Sequence, residues 1–145
     1  MHHKTSLLAA CCAAILSLSA CGGGGDSSAP AIVVANPASL VVTDLVAGSG
    51  ATAINGKRLT LNYTGWYYSA SAADHKGAQF ETNTFSFVLG AGTVIPGWDQ
   101  GLVGMKVGGK RSLAIPSNLA YGSTGQGKIP PNAGLLFEVE LTKVE

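Results

Sequence analysis

Apolar and polar residues alternate strictly in several short stretches of this chain. Near its end, Leu135, Phe137, Val139 and Leu141 share one parity, while Glu138, Glu140 and Thr142 hold the other. Leu59, Leu61 and Tyr63 alternate with Thr60, Asn62 and Thr64; Phe85, Phe87 and Leu89 repeat the pattern, and Leu113 with Ile115 gives a shorter case. Period two with one polar face predicts half-exposed antiparallel strands. Their apolar faces need a cover, and one helical candidate is on offer, residues 96–103, with Pro96 at a first-turn position that tolerates it. Gly90-Ala91-Gly92, Gly108-Gly109 and Pro130-Pro131-Asn132-Ala133-Gly134 predict turns. The expected fold class is therefore α+β, an antiparallel sheet wrapped around one short helix.

The first twenty residues follow a different rule. Lys4 stands beside His2 and His3, residues 7–18 are almost wholly apolar and uncharged, and Leu18-Ser19-Ala20-Cys21 closes the run. A charged start, an apolar run and a small-residue cleavage site describe a secretory signal. The ending resembles the bacterial lipoprotein signal, which implies cleavage before Cys21 and acylation of that Cys. An ordinary signal with an incidental Cys21 is the alternative. Residues 21–38, with Gly22-Gly23-Gly24-Gly25-Asp26-Ser27-Ser28, Pro30 and Pro37, predict a flexible tether. Gly22, in place of an acidic residue after the Cys, points to the outer membrane, at its periplasmic or surface face, rather than the inner. Residues 39–145 form the expected folded domain.

Composition narrows the partners. The chain has 145 residues, 46% apolar and 12% charged, with nine basic against eight acidic side chains. One modest domain fits that length. The balanced charge gives no footprint for nucleic acid, and beyond residue 20 no run approaches the ~20 apolar residues of a membrane span. Cys11 and Cys12 leave with the signal, and His75 is the one His remaining, in a polar loop. No metal and no cofactor are expected.

The motifs come in a recognisable order. Tyr63-Thr64-Gly65, Gln79-Phe80-Glu81-Thr82, Phe85-Ser86-Phe87-Val88-Leu89-Gly90, Val94-Ile95-Pro96-Gly97-Trp98-Asp99-Gln100-Gly101-Leu102, Ala120-Tyr121-Gly122, Ile129-Pro130-Pro131-Asn132-Ala133 and Leu136-Phe137-Glu138-Val139-Glu140-Leu141 follow one another through the whole folded part. In this order they resemble the FKBP family of peptidyl-prolyl cis–trans isomerases. The resemblance implies a strongly curved antiparallel sheet around a short helix. It also implies a pocket floored by Trp98 and walled by Tyr63, Phe80, Phe85, Val94, Ile95, Tyr121, Ile129 and Phe137, with Glu81 at its side. Of these, Tyr63, Phe80, Glu81, Ile95, Trp98, Tyr121 and Phe137 are expected to act in catalysis, and Phe85, Val94 and Ile129 in substrate binding. Phe87 is expected to be plain core. The implied partners are Pro-containing polypeptides and macrolide inhibitors of the tacrolimus/rapamycin type, met by a monomer.

Two departures stand out from the family pattern. Glu81 replaces the usual Asp, and the 125–129 loop, which overhangs the pocket in the family, is one residue shorter than in its minimal member. Residues 66–79 read as a long Ser- and Ala-containing connection without a role. The leading expectation is a lipid-anchored isomerase that helps cell-envelope proteins fold. A proline-segment binding module with little turnover, or a surface-interaction lipoprotein, are the alternatives.

Overall fold

The computed structural model describes residues 33–145, so the readings of 1–20 and of Cys21 lie outside the described residues, as does most of the 21–38 segment. Five strands form one antiparallel sheet: β1 (Val41–Val46), β2 (Arg58–Tyr68), β3 (Lys76–Val88), β4 (Lys110–Ile115) and β5 (Leu135–Val144), in the order β1-β4-β5-β2-β3. The curved sheet wraps one short helix, α1 (Pro96–Gly101). The alternating residues do what their period requires. Leu59, Leu61, Leu113, Ile115, Leu135, Phe137, Val139 and Leu141 are buried in one core together with Trp98 and Leu102. Ala114 and Leu136, paired across β4 and β5, are also buried.

The helix is shorter than the expected 96–103. It ends at Gly101, with the Leu102 N–H donating to the Trp98 carbonyl, and Gly104 turns the chain at a φ of 86°. Pro96 sits in the first turn as expected. The two helix glycines face β4: a Cβ on Gly97 would lie 2.5 Å from Ile115 Cγ2, and one on Gly101 2.7 Å from Leu113 Cδ2. Their spacing of four puts both on one face, so the helix can seat closely against the sheet and set the depth of Trp98.

Three features were not expected. β1 is an edge strand paired with β4, and its exposed Val41, Val42, Leu45 and Val46 show no alternation from which to read it. The connection 66–79 is largely paired strand, since Trp66 faces Gln79 and Tyr68 faces Lys76, leaving a short turn between them. Shifts of register there absorb the irregular composition. Finally, the packing reaches back to Val34, ahead of the expected domain start at Ser39. Val34 is buried in the core, Ala35 accepts from the Gly134 N–H at 3.2 Å, and Asn36 makes two hydrogen bonds to the domain.

Candidate functional site

A cavity of about 430 Å³ opens between the sheet and the loops around α1. This lies within the range of small-molecule sites. Trp98, buried in the core cluster, forms its floor. The indole stands edge-to-face against Phe137, with centroids 5.3 Å apart at 84°, and against Tyr63 at 5.0 Å and 79°. Phe80 meets Phe137 at 5.8 Å and 85°, and Phe85 meets Trp98 at 6.4 Å and 66°. Edge-to-face geometry is the arrangement that aromatic quadrupoles favour. Trp98 Nε1 is buried with no hydrogen-bond partner among the described residues.

Each wall has a local cause. Tyr63 is placed by the period of β2, and Phe137 by that of β5. Gly65 lies against two rings: a Cβ there would be 2.6 Å from Phe80 Cζ and 2.8 Å from Phe137 Cε1. The missing side chain is what lets Phe80 and Phe137 converge. Neighbours in a regular strand point to opposite faces, yet Phe80 and Glu81 both line the cavity. The register explains this. Gly65 pairs with Glu81 and Trp66 with Gln79, so Phe80 is the extra residue of a bulge, which re-aims a side chain. Phe85, further along β3, is 44% exposed and reaches over the cavity, while Phe87 is buried and belongs to the core.

Val94 and Ile95 enter from the segment before α1. That segment is held by Asp99, whose two carboxylate oxygens accept from the Gly90 N–H at 2.9 Å and the Gly92 N–H at 3.1 Å. Tyr121 comes from the turn after the short 3₁₀ segment Ser117–Leu119, and Ile129 from the loop before β5. All ten pocket residues named from the sequence therefore line one cavity. Thr93, Gln126, Gly127 and Lys128 join them. Of these, Thr93 carried no signal in the sequence, and the other three belong to the short overhanging loop. His75, at a φ of 59°, stacks on Tyr68 at 5.1 Å, away from the cavity.

The electrostatics of the site are those of neutral donors. Burial pushes the Tyr63 phenol well above its ordinary range, and the neighbouring Glu81 carboxylate raises it further. Burial and, after it, the Glu81 charge push Tyr121 upward as well. Both phenols stay protonated at neutral pH. The Ile95 N–H and the Tyr121 hydroxyl have no hydrogen-bond partner among the described residues. A cavity with an aromatic floor and two free donors can hold a planar amide beside a ring and orient its carbonyls.

Residues 50–142 match the profile of the FKBP-type peptidyl-prolyl cis-trans isomerase family. An FK506-binding protein of Neisseria meningitidis serogroup A is 49% identical over 107 residues, which are 73% of this chain and 96% of that protein. An FK506-binding protein of Streptomyces anulatus is 43% identical over 111 residues, 74% and 88% of the two chains. Among solved structures, AtFKBP13 has a TM-score of 0.63 at 34% identity, over 76% of this chain and 96% of its own. FkpA from Escherichia coli has a TM-score of 0.62 at 37% identity, over 77% of this chain; the match spans 51% of FkpA.

Proposed function

This chain belongs to the FKBP-type peptidyl-prolyl cis-trans isomerase family, and we propose that it turns X–Pro bonds over in the Trp98 pocket by desolvating and twisting the amide. Rotation about an X–Pro bond breaks amide resonance against a barrier of roughly 18–20 kcal/mol and takes about tens to hundreds of seconds unaided. The planar amide is the more charge-separated form and is held down by water; the twisted amide is less so. A cavity walled by five aromatic side chains and Ile129 removes that water and favours the twisted form, and such a difference between ground and transition state is what accelerates a step. In this reading the prolyl ring lies over Trp98, while the Ile95 N–H and the Tyr121 hydroxyl hold substrate carbonyls in place. Tyr63, Phe80, Glu81, Phe85, Val94, Ile129 and Phe137 shape the enclosure.

The observation that carries this is the convergence of Tyr63, Trp98 and Phe137 edge-to-face under two free donors. No covalent intermediate is required. A protease-coupled assay on a Pro-containing peptide tests it: acceleration of the slow cis-to-trans phase is expected, and its absence with a folded protein would overturn the reading. Macrolides of the tacrolimus/rapamycin type would compete for the same cavity, consistent with relatives named as FK506-binding proteins.

The setting is proposed from the N-terminal sequence. Leu18-Ser19-Ala20-Cys21 supports processing before Cys21, a diacylglyceryl group on its thiol and a third acyl chain, which would tether the domain to the cell envelope, with the outer membrane favoured by Gly22. Clients would be exported proteins slowed by X–Pro steps. Several acyl chains hold a protein firmly where one does not. Labelling with a fatty-acid analogue should tag the wild type, and Cys21→Ser should lose the label and leave the membrane fraction. Retention of Cys21→Ser on membranes would refute the anchor.

A further inference from the structure

Tyr67 stands outside the machinery described so far, yet it ties the two sides of the pocket mouth together. β2 runs past the pocket to Tyr68, and there the Tyr67 ring packs on Phe80, with centroids 5.1 Å apart. Its hydroxyl donates to the Lys128 carbonyl at 2.6 Å. Lys128 reaches back in turn, its Nζ donating to the Phe80 carbonyl at 3.5 Å. The loop that Lys128 belongs to is closed on itself. The Gln126 N–H donates to the Ile129 carbonyl at 2.9 Å, the Ile129 N–H to the Gln126 carbonyl at 2.8 Å, and the Gly125 N–H to the Tyr121 carbonyl at 3.2 Å. A small closed hairpin of this kind moves as a unit. Among the described residues, these two contacts of Lys128 are the hydrogen bonds that fasten it to the sheet side of the mouth.

The position matters because of what passes there. Phe80 and Glu81 line one side of the cavity, and Gln126, Gly127, Lys128 and Ile129 the other. A peptide whose proline sits on Trp98 must lead its neighbouring residue out between such sides. We propose that Tyr67 is a specificity-determining residue: its hydroxyl latches the 125–129 hairpin to the Phe80 end of β3 and so sets the width of the mouth that admits the side chain next to the substrate proline. The inference rests on the isomerase reading of the pocket and gives a task to the extended β2–β3 hairpin. With the latch closed, a small neighbouring side chain passes freely, while a bulky one must push Lys128 aside. The packing of the half-buried Tyr67 ring on Phe80 stiffens the latch, since the phenol cannot swing away without giving up that contact.

Tyr67→Phe removes one oxygen and keeps the ring on Phe80, so the fold has no reason to change. The full-length protein and its Tyr67→Phe variant would be assayed on two peptides, one with Ala and one with Phe before the proline. The ratio of kcat/KM for the Phe peptide to that for the Ala peptide should rise about twofold to tenfold in the variant, mainly through KM, which is the span of one net hydrogen bond. Exchange of the Ile129 amide, followed by NMR, should quicken in the variant while the melting temperature holds. A merely structural tyrosine would lower the melting temperature and leave the ratio alone. An unchanged ratio in an active variant overturns the latch. A wild type that accelerates neither peptide overturns the isomerase reading, and the specificity role with it.

Discussion

Arg111 Nη1 donates to the Gly101 carbonyl at 2.9 Å, joining the end of the helix beneath the pocket to the strand beside it. The same nitrogen donates to the Val103 carbonyl at 3.0 Å, and Nε to Asp44 Oδ1 at 2.7 Å. Helix-terminal carbonyls lack intrahelical partners, and here a buried guanidinium supplies them.

Arg111→Met should therefore cost about 1–3 kcal/mol, the penalty for leaving buried carbonyls unsatisfied. Asp44, whose side chain is 60% exposed, keeps water in the Arg111 pair; Asp44→Asn should cost less than about 1 kcal/mol. Urea melts of the two variants check the order, and equal losses would contradict it.

Gly65→Ala places a methyl between Phe80 and Phe137, both of which wall the pocket. Overpacking of this kind costs about 1–3 kcal/mol. The loss should come with weaker turnover, because the rings that must yield are those that enclose substrate. Parallel melts and peptide assays check that stability and kcat/KM fall together.

Tyr121→Phe deletes one free donor and keeps the ring. A net hydrogen bond is worth about 0.5–1.5 kcal/mol, so kcat/KM should fall by no more than about tenfold. A thousandfold loss would mean that the hydroxyl moves a proton, against the desolvation mechanism.

The pH dependence follows from the raised phenols. In the folded protein Tyr63 and Tyr121 titrate above the ordinary phenol value of 10.0, so the unfolded chain gives up these protons first. Their contribution to stability is fully present below that value and is lost as pH rises through it toward the folded pKa. Urea stability should hold flat with respect to these groups near neutrality and decline above about pH 10. The decline should be shallower in Tyr63→Phe. Turnover should be nearly flat between about pH 6 and 8, and His75→Ala should not change it, since an acid–base enzyme would instead give a bell-shaped profile.

Asn36 Oδ1 accepts from the Ser117 N–H at 2.7 Å, and its Nδ2 donates to the Asn132 carbonyl at 2.7 Å. These bonds bind the N-terminal segment to the two loops that end in Tyr121 and begin at Ile129. Both bonds are exposed, so Asn36→Ala should lose about 0.5–1.5 kcal/mol. Asn36→Asp keeps the acceptor and should lose less, which denaturant melts of the pair would show.

Much of the protein could be read in one dimension. Strand periodicity located the core faces of β2, β4 and β5, because a two-residue repeat needs no knowledge of what the strand meets. Pro96 marked the start of the one helix, and the order of motifs assembled ten side chains that prove to share one cavity. Other relationships belong to the tertiary structure alone. Arg111 carries no signal in the sequence, and only the fold brings it to Gly101, Val103 and Asp44. The bulge that turns both Phe80 and Glu81 into the pocket is a matter of register between β2 and β3. The latch from Tyr67 to Lys128 spans 61 residues and the Asn36 clamp to Asn132 spans 96. Such contacts join positions with no shared period, and loop closure brings them together only when the whole sheet forms. Local sequence therefore settles which face of each element is apolar, while the closed sheet decides which polar groups find partners and how wide the pocket opens.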